Sequence, residues 1–266
     1  MAGTALLDVT DGVATLTLNR PEALNALSVE MMQDLQACVR ALPGRDDIAV
    51  VVVAGAGDHF MAGGDLKDFS TQLHLSPQAR HAAFRAMIEQ YINPTVVMLQ
   101  QLRQPVIAKV RGACAGFGLS LMAGCDLAIC ADDAKFTTAY AAIALSGDGG
   151  ASYFLSQILG RRKAAELLLL GDRFDAAEAE RLGLVNRRVA GAELDAEVDA
   201  LVARLKRGPR RAYAEIKALL AAAPTNQLES QLQSEAEAFA RCSASADFAE
   251  GVTAFLAKRK PGFTGA

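Results

Sequence analysis

Apolar residues along the 266-residue chain fall into two regimes that meet near Gly150. Before it, short apolar runs alternate with helix-spaced patterns. Val13 to Asn19 (V-A-T-L-T-L-N) is β-branched and partly alternating, which predicts a strand ended by Arg20-Pro21. Ser28 is a good N-cap, and Met32, Leu35, Val39 and Leu42 follow at helical spacing until Pro43-Gly44. Ile48 to Ala54 and Pro105 to Val110 are continuous apolar runs, the pattern of strands covered on both faces. Glycine-rich turns follow both runs, and helices are expected from about Asp65 and over Leu119 to Ala123. Thr95 to Leu102 reads as a helix, and Leu127 to Cys130 and Lys135 to Thr137 as short strands. Alternating strands and helices predict an α/β fold.

Beyond Gly150 the pattern is helical. A helix over Arg162 to Leu170 ends at Gly171, a natural C-cap, and Asp175-Ala-Ala-Glu178 resembles a capping box. No strand is expected past residue 190, and Phe248, Val252, Phe255 and Leu256 share one face of a terminal helix. Leu66 to Arg85, with Ser76-Pro77, two histidines and mixed polarity, is the least regular stretch and reads as a mobile segment or lid.

Composition narrows the function classes. Net charge is −3, with 21% charged residues and no long basic face, so a nucleic-acid partner is not expected. The five cysteines (38, 114, 125, 130 and 242) form no CxxC pair, and the N-terminus lacks a signal-peptide pattern; both suggest a reducing cytoplasm. No apolar run approaches the ~20 residues that span a bilayer. His59, His74 and His81 lack metal-site spacing, so no metal is expected.

The candidate chemistry lies in the glycine turns, His59 to Lys67 and Arg111 to Ser120. The first amides of a helix have no partner inside it, and glycine lets a ligand approach the backbone. Two such donors aimed at one point would form an oxyanion hole. On spacing alone, ordinary strand-to-helix turns explain them better, and neither matches a nucleotide-binding glycine motif.

Longer segments carry a resemblance. N-R-P-E-A-L-N-A-L-S (Asn19 to Ser28), F-M-A-G-G-D-L-K (Phe60 to Lys67), Q-P-V-I-A-K-V-R-G (Gln104 to Gly112), C-D-L-A-I-C (Cys125 to Cys130), G-D-R-F-D-A-A-E-A-E-R-L-G-L-V-N (Gly171 to Asn186) and F-A-E-G-V-T-A-F-L-A-K-R-K-P (Phe248 to Pro261) occur in order. Together they resemble the crotonase superfamily, the enoyl-CoA hydratase/isomerase family, over nearly the whole chain. The resemblance implies a spiral of ββα units over residues 1–195 and a helical trimerisation region over 196–266. It implies a homotrimer or dimer of trimers acting on an acyl-CoA or aryl-CoA thioester. CoA is then part of the substrate, and no separate cofactor is expected. The oxyanion amides map to Gly64 and Phe117, the second position being usually glycine in the family. CoA would run along Leu24, Ala26, Ala62, Asp65 and Leu66, while Phe255 and Lys258 match tail positions that reach a neighbouring subunit's CoA.

The departures from the pattern bear on the reaction. Hydratases of this family use two glutamates, and the matching positions hold Ser120 and Tyr140. A serine is no base near neutral pH without help, and a tyrosine of pKa near ~10 is a poor one. A carboxylate stands instead in Ser146-Gly147-Asp148-Gly149-Gly150. Taken alone, Asp148 reads as a turn or cap residue. Within the family, the branch that isomerises ring-1,2-epoxyphenylacetyl-CoA has an aspartate here and lacks both glutamates. The expected activity is therefore isomerisation, double-bond migration or ring rearrangement, through a thioester enolate with Asp148 as proton shuttle. Ser120 and Tyr140 are expected to orient the substrate, and Tyr140, Leu145 and Phe154 to line the base. The alternatives are a hydratase-like lyase using Ser120, displacement or hydrolysis with Asp148 as nucleophile, and a non-catalytic CoA-ester binder. The dehalogenase form of displacement also needs a histidine where Asn93 stands.

Overall fold

The computed structural model describes residues 3–265. A six-stranded sheet runs in the order β1-β2-β3-β4-β6-β9: β1 (Ala5–Thr10), β2 (Val13–Leu18), β3 (Val50–Gly55), β4 (Val106–Val110), β6 (Leu127–Ala131) and β9 (Arg187–Val189). The β1–β2 pair is an antiparallel hairpin, and every later pairing in this sheet is parallel. A second sheet joins β5 (Ala113–Ala115), β7 (Lys135–Thr137) and β8 (Phe174–Asp175). The mixed architecture, with helices closing the C-terminal end, agrees with the expected fold class.

The apolar runs became the central strands because both faces are covered. On one face Val51, Val53, Ala108 and Val110 join Met31, Leu35 and Val39 of α1 (Val29–Arg40) and Leu119 and Met122 of α5 (Phe117–Ala123) in the main core. On the other, Val50, Val52, Ile107 and Ile129 meet Leu194, Val198 and Val202 of α8 (Leu194–Lys206). Burying a valine or isoleucine side chain contributes on the order of 1.5–3 kcal/mol. The division expected after residue 195 falls inside α8, whose packing on β3, β4 and β6 carries the core to residue 206.

Several elements differ from expectation. The edge strand β1 was not anticipated; its outward positions, including Leu6 and Asp8, are exposed or half-exposed. Leu66 to Arg85 is not irregular: it forms α2 (Leu66–Ser70) and most of α3 (Pro77–Met87). Ser76 caps α3 by accepting the Ala79 amide, with Pro77 in the first turn, so the dipeptide counted with the irregular stretch starts a helix. A π turn, Ile88–Ile92, joins α3 to α4 (Asn93–Gln101). The helix expected from Arg162 begins earlier: α6 (Ala151–Leu170) is two helices meeting at a kink at Gly160. α7 (Ala176–Arg181) is capped by Asp175. The end of the chain folds as α9 (Arg210–Ala222), α10 (Leu228–Ser243) and α11 (Ala246–Leu256), which expose Leu220, Phe239, Phe255 and Leu256.

Candidate active site

The two glycine turns are laced together by their backbones. Met61 pairs with Cys114 in a parallel bridge: Met61 N donates to Ala113 O at 2.9 Å, and Ala115 N to Met61 O at 2.8 Å. The close approach needs glycine at residue 116, where φ is +51° and a Cβ would lie 3.2 Å from Gly63 Cα and 4.0 Å from Gly64 N. This brings the Gly64 amide beside the first turn of α5, where Phe117 presents its own. Among the described residues, no backbone or side-chain group accepts either N–H. The Phe69 ring closes over Gly64, where a Cβ would lie 2.6 Å from Phe69 Cζ.

The entry segment is braced from within. Asn25 is fully buried; its Nδ2 donates to Ala56 O (3.0 Å) and His59 O (2.7 Å), and its Oδ1 accepts from Arg20 N (2.8 Å). Arg20 also donates to Ala26 O at 2.6 Å and pairs with Asp65 at 2.9 Å. Leu27 N donates to Gly63 O, Asp65 N to Leu27 O, and Ala62 N to Leu24 O. Leu24, Ala26, Ala62, Asp65 and Leu66 therefore share one strip, with Leu24 and Leu66 exposed. Asp65 is buried, caps α2 by accepting the Lys67 amide, and holds Arg20. Burial pushes its carboxyl upward, but Arg20 and the Lys67 amide outweigh this and keep it below the ordinary range. Phe255 and Lys258 stand apart from that strip; Phe255 lines a cleft with Pro209, Phe248 and Phe263. His59 is a structural loop residue, its Nδ1 accepting from the Ala113 amide at 3.0 Å. The structural roles of Asn25 and Arg20 were missed, although N-R-P-E-A-L-N had been singled out.

Ser120, Tyr140 and Asp148 meet in one chain of hydrogen bonds. Tyr140 Oη donates to Asp148 Oδ1 at 2.7 Å, and Ser120 Oγ lies 2.9 Å from Tyr140 Oη. Ser120 and Tyr140 are buried, whereas Asp148 is half-buried. Both hydroxyls are thus engaged by protein groups. The Asp148 side chain does not cap α6; Gly150 holds that position with no side-chain cap bond. Its turn is set by crowding: Gly149 has φ +59°, and a Cβ there would lie 2.7 Å from the Phe117 ring and 3.2 Å from Ser120 Cβ. Asp148 therefore sits beside the residue that presents the second amide. Burial raises its carboxyl pKa, the Tyr140 hydrogen bond partly opposes this, and no charged neighbour contributes. Burial, and next the charge of Asp148, push the Tyr140 phenol well above its ordinary range, so it stays protonated.

Leu145, three residues before Asp148, borders an apolar cavity of about 620 Å³ with Ile143, Leu66, Phe69, Leu73 and Phe84. Phe69 and Phe84 meet edge to face, centroids 5.1 Å apart. Leu145 is thus exposed to this cavity rather than packed around the base, while Phe154 lies under Gly150.

Comparisons with known proteins agree with this fold. The enoyl-CoA hydratase/isomerase family model matches residues 8–266. The chain is 37% identical over 260 residues to 1,2-epoxyphenylacetyl-CoA isomerase of Escherichia coli (strain K12), covering 98% of each protein. It is 29% identical over 249 residues to 4-chlorobenzoyl coenzyme A dehalogenase-2 of an Arthrobacter species, covering 94% of this chain and 89% of that protein. Among solved structures, an enoyl-CoA hydratase from Mycobacterium smegmatis superposes with a TM-score of 0.87 at 36% identity, covering 98% of each chain. The chain belongs to the enoyl-CoA hydratase/isomerase, or crotonase, family.

Proposed function

We propose that the protein is an acyl-CoA isomerase in which Asp148 moves a proton between carbons of the acyl group while the Gly64 and Phe117 amides hold the thioester oxygen. The observation that carries this reading is the isolation of the carboxylate. It is neither a helix cap nor influenced by a charged neighbour, and the hydroxyls at the hydratase glutamate positions are turned toward it or toward each other. Hydration needs one group to activate water and another to donate a proton; isomerisation needs one base that gives back what it takes.

In this mechanism the Asp148 carboxylate removes a proton from the carbon alpha or gamma to the thioester carbonyl. The electron pair of that C–H bond moves through the acyl chain to the carbonyl oxygen, giving an enolate. Two oriented N–H groups stabilise the new charge; loss of one such donor elsewhere costs about 2.7–4 kcal/mol. The protonated Asp148 then returns its proton to the other carbon, and the double bond has moved with no water or oxidant consumed. Partial burial makes the carboxylate a stronger base than one in water. The acyl group is assigned to the cavity under Phe69 and Phe84, and the CoA portion to the strip from Leu24 to Leu66. Phe255 on α11 and Lys258 in the turn that follows it are assigned to a neighbouring subunit's CoA in a trimer or dimer of trimers, which mass measurement in solution tests.

The deciding experiment presents 3-hexenoyl-CoA and phenylacetyl-CoA in deuterated water. The parent is expected to conjugate the first, read by absorbance, and to exchange protons next to the carbonyl, read by mass. Asp148→Asn is expected to abolish both while still binding the esters. Exchange that persists in the variant removes Asp148 from the mechanism. The absence of exchange in the parent, with binding retained, points to a non-catalytic binder. A covalent acyl or aryl adduct on Asp148 with a halogenated aryl-CoA points to displacement.

A further inference from the structure

The geometry points to Tyr140, backed by Ser120, as a positioning residue for Asp148: a one-way hydrogen-bond chain pins one carboxylate oxygen and leaves the other to take the proton. This rests on the reading of Asp148 as the base.

Proton counting fixes the direction. An ionised carboxylate only accepts, so the single Tyr140 hydrogen goes to Oδ1 at 2.7 Å. The phenol oxygen is then an acceptor, and the group beside it is Ser120 Oγ at 2.9 Å. Ser120 also has one hydrogen; Gly116 O, at 3.4 Å, is the weaker of its two acceptors. The chain thus runs Ser120 to Tyr140 to Asp148, each donor strengthening the next. Its far end lies in the first turn of α5, the turn that presents the Phe117 amide. The opposite oxygen, Oδ2, accepts from no other residue among those described; the only further donor to this carboxyl is the residue's own amide. One oxygen is therefore held by a neighbouring side chain and the other is not.

The chain also bears on when the base is ionised. A hydrogen bond given to the carboxylate favours its charged form, whereas burial favours the neutral form. The titratable groups near Asp148 are few. Tyr140 is its partner, Tyr153 on α6 is half-exposed, and Arg80 and His81 line the Leu145 cavity from α3; the last three make no hydrogen bond to it. Tyr140 does more than the residue's own amide to offset burial, and without it Asp148 would hold its proton to higher pH.

The test is the pH dependence of kcat and kcat/KM for 3-hexenoyl-CoA in the parent, Tyr140→Phe, Ser120→Ala and Asp148→Asn. Tyr140→Phe keeps the buried ring, so folding is retained. Its acidic limb is expected to move to higher pH, with kcat down about tenfold and KM within about threefold, because the base is loosened but binding is not. Ser120→Ala is expected to move the limb the same way by less. A merely structural role for Tyr140 predicts a lower kcat with the limb in place, and that result overturns the inference. If Asp148→Asn retains turnover, the underlying assignment of the base fails instead. If Asp148→Asn is inactive but neither hydroxyl variant moves the limb, the assignment of the base survives and the positioning chain does not.

Discussion

The site has two halves built from different material. The half assigned to the oxyanion is backbone: two amides, held by the Met61–Cys114 bridge, the Asn25 braces and the Arg20–Asp65 pair. The half assigned to the base is side chains: Ser120, Tyr140 and Asp148, joined by two hydrogen bonds. A backbone donor survives a change of side chain, so phenylalanine at residue 117 still supplies an N–H. A side-chain half has no such tolerance, since each substitution changes what can give or take a proton. On the proposed reading, enolate stabilisation belongs to the first half and the choice of reaction to the second.

This contrast breaks most sharply at Asp148. Asp148→Asn keeps the shape but removes the base, and a loss of about 10³-fold in kcat is expected, with ester affinity near that of the parent. On the backbone half, the largest effect is on stability. Asn25→Ala leaves two carbonyls and the Arg20 amide unpartnered in a buried turn, and should lower unfolding free energy by about 3 kcal/mol, measured by urea denaturation. Gly64→Ala places a methyl group 2.6 Å from the Phe69 ring, so the backbone or the ring must shift; kcat should fall about 10²-fold through the displaced amide. Phe117→Leu keeps the amide and most of the volume; kcat should stay within about fivefold of the parent's and stability within about 1.5 kcal/mol. A collapse of activity in that variant would show that the aromatic ring, not the amide, is what the site requires.

The smallest effect sharpens the electrostatics. The Asp148 pKa is raised in the folded protein, so the stability it contributes is complete below the unfolded carboxyl's pKa and is lost as pH rises through the folded one. At pH 7 the buried charge is a burden that Asp148→Asn removes. Thermal melts should give this variant a Tm at or above the parent's at pH 7, with the gap closing toward pH ~4. A lower Tm at pH 7 would mean that the bond from Tyr140 outweighs desolvation.

What the sequence disclosed follows the same division. Strands β3 and β4 were legible because full burial demands an unbroken apolar run. The edge strand β1 was not, because half its positions face solvent and Asp8 interrupts the pattern. Ser76-Pro77 carried a real helix-start signal that mixed polarity obscured. The two glycine turns were visible as punctuation, and their pairing was expected only through the family resemblance. The hydroxyl chain was not legible at all: residues 120, 140 and 148 were singled out separately, and nothing in their spacing shows that Tyr140 points at Asp148 rather than at the substrate. The Asn25 braces were hidden similarly, since a buried asparagine and a surface one look alike in sequence.

The missing side chain at residue 149 has a last consequence. Because that position has room for little more than hydrogen beside the Phe117 ring, the turn carrying Asp148 rests directly on that side chain. Adding one methyl group at residue 149 pushes the turn off it. On the proposed placement of the acyl group, attempts to fit bulkier ones would therefore do better to reshape the Phe69–Phe84 wall, which borders the cavity without touching that turn.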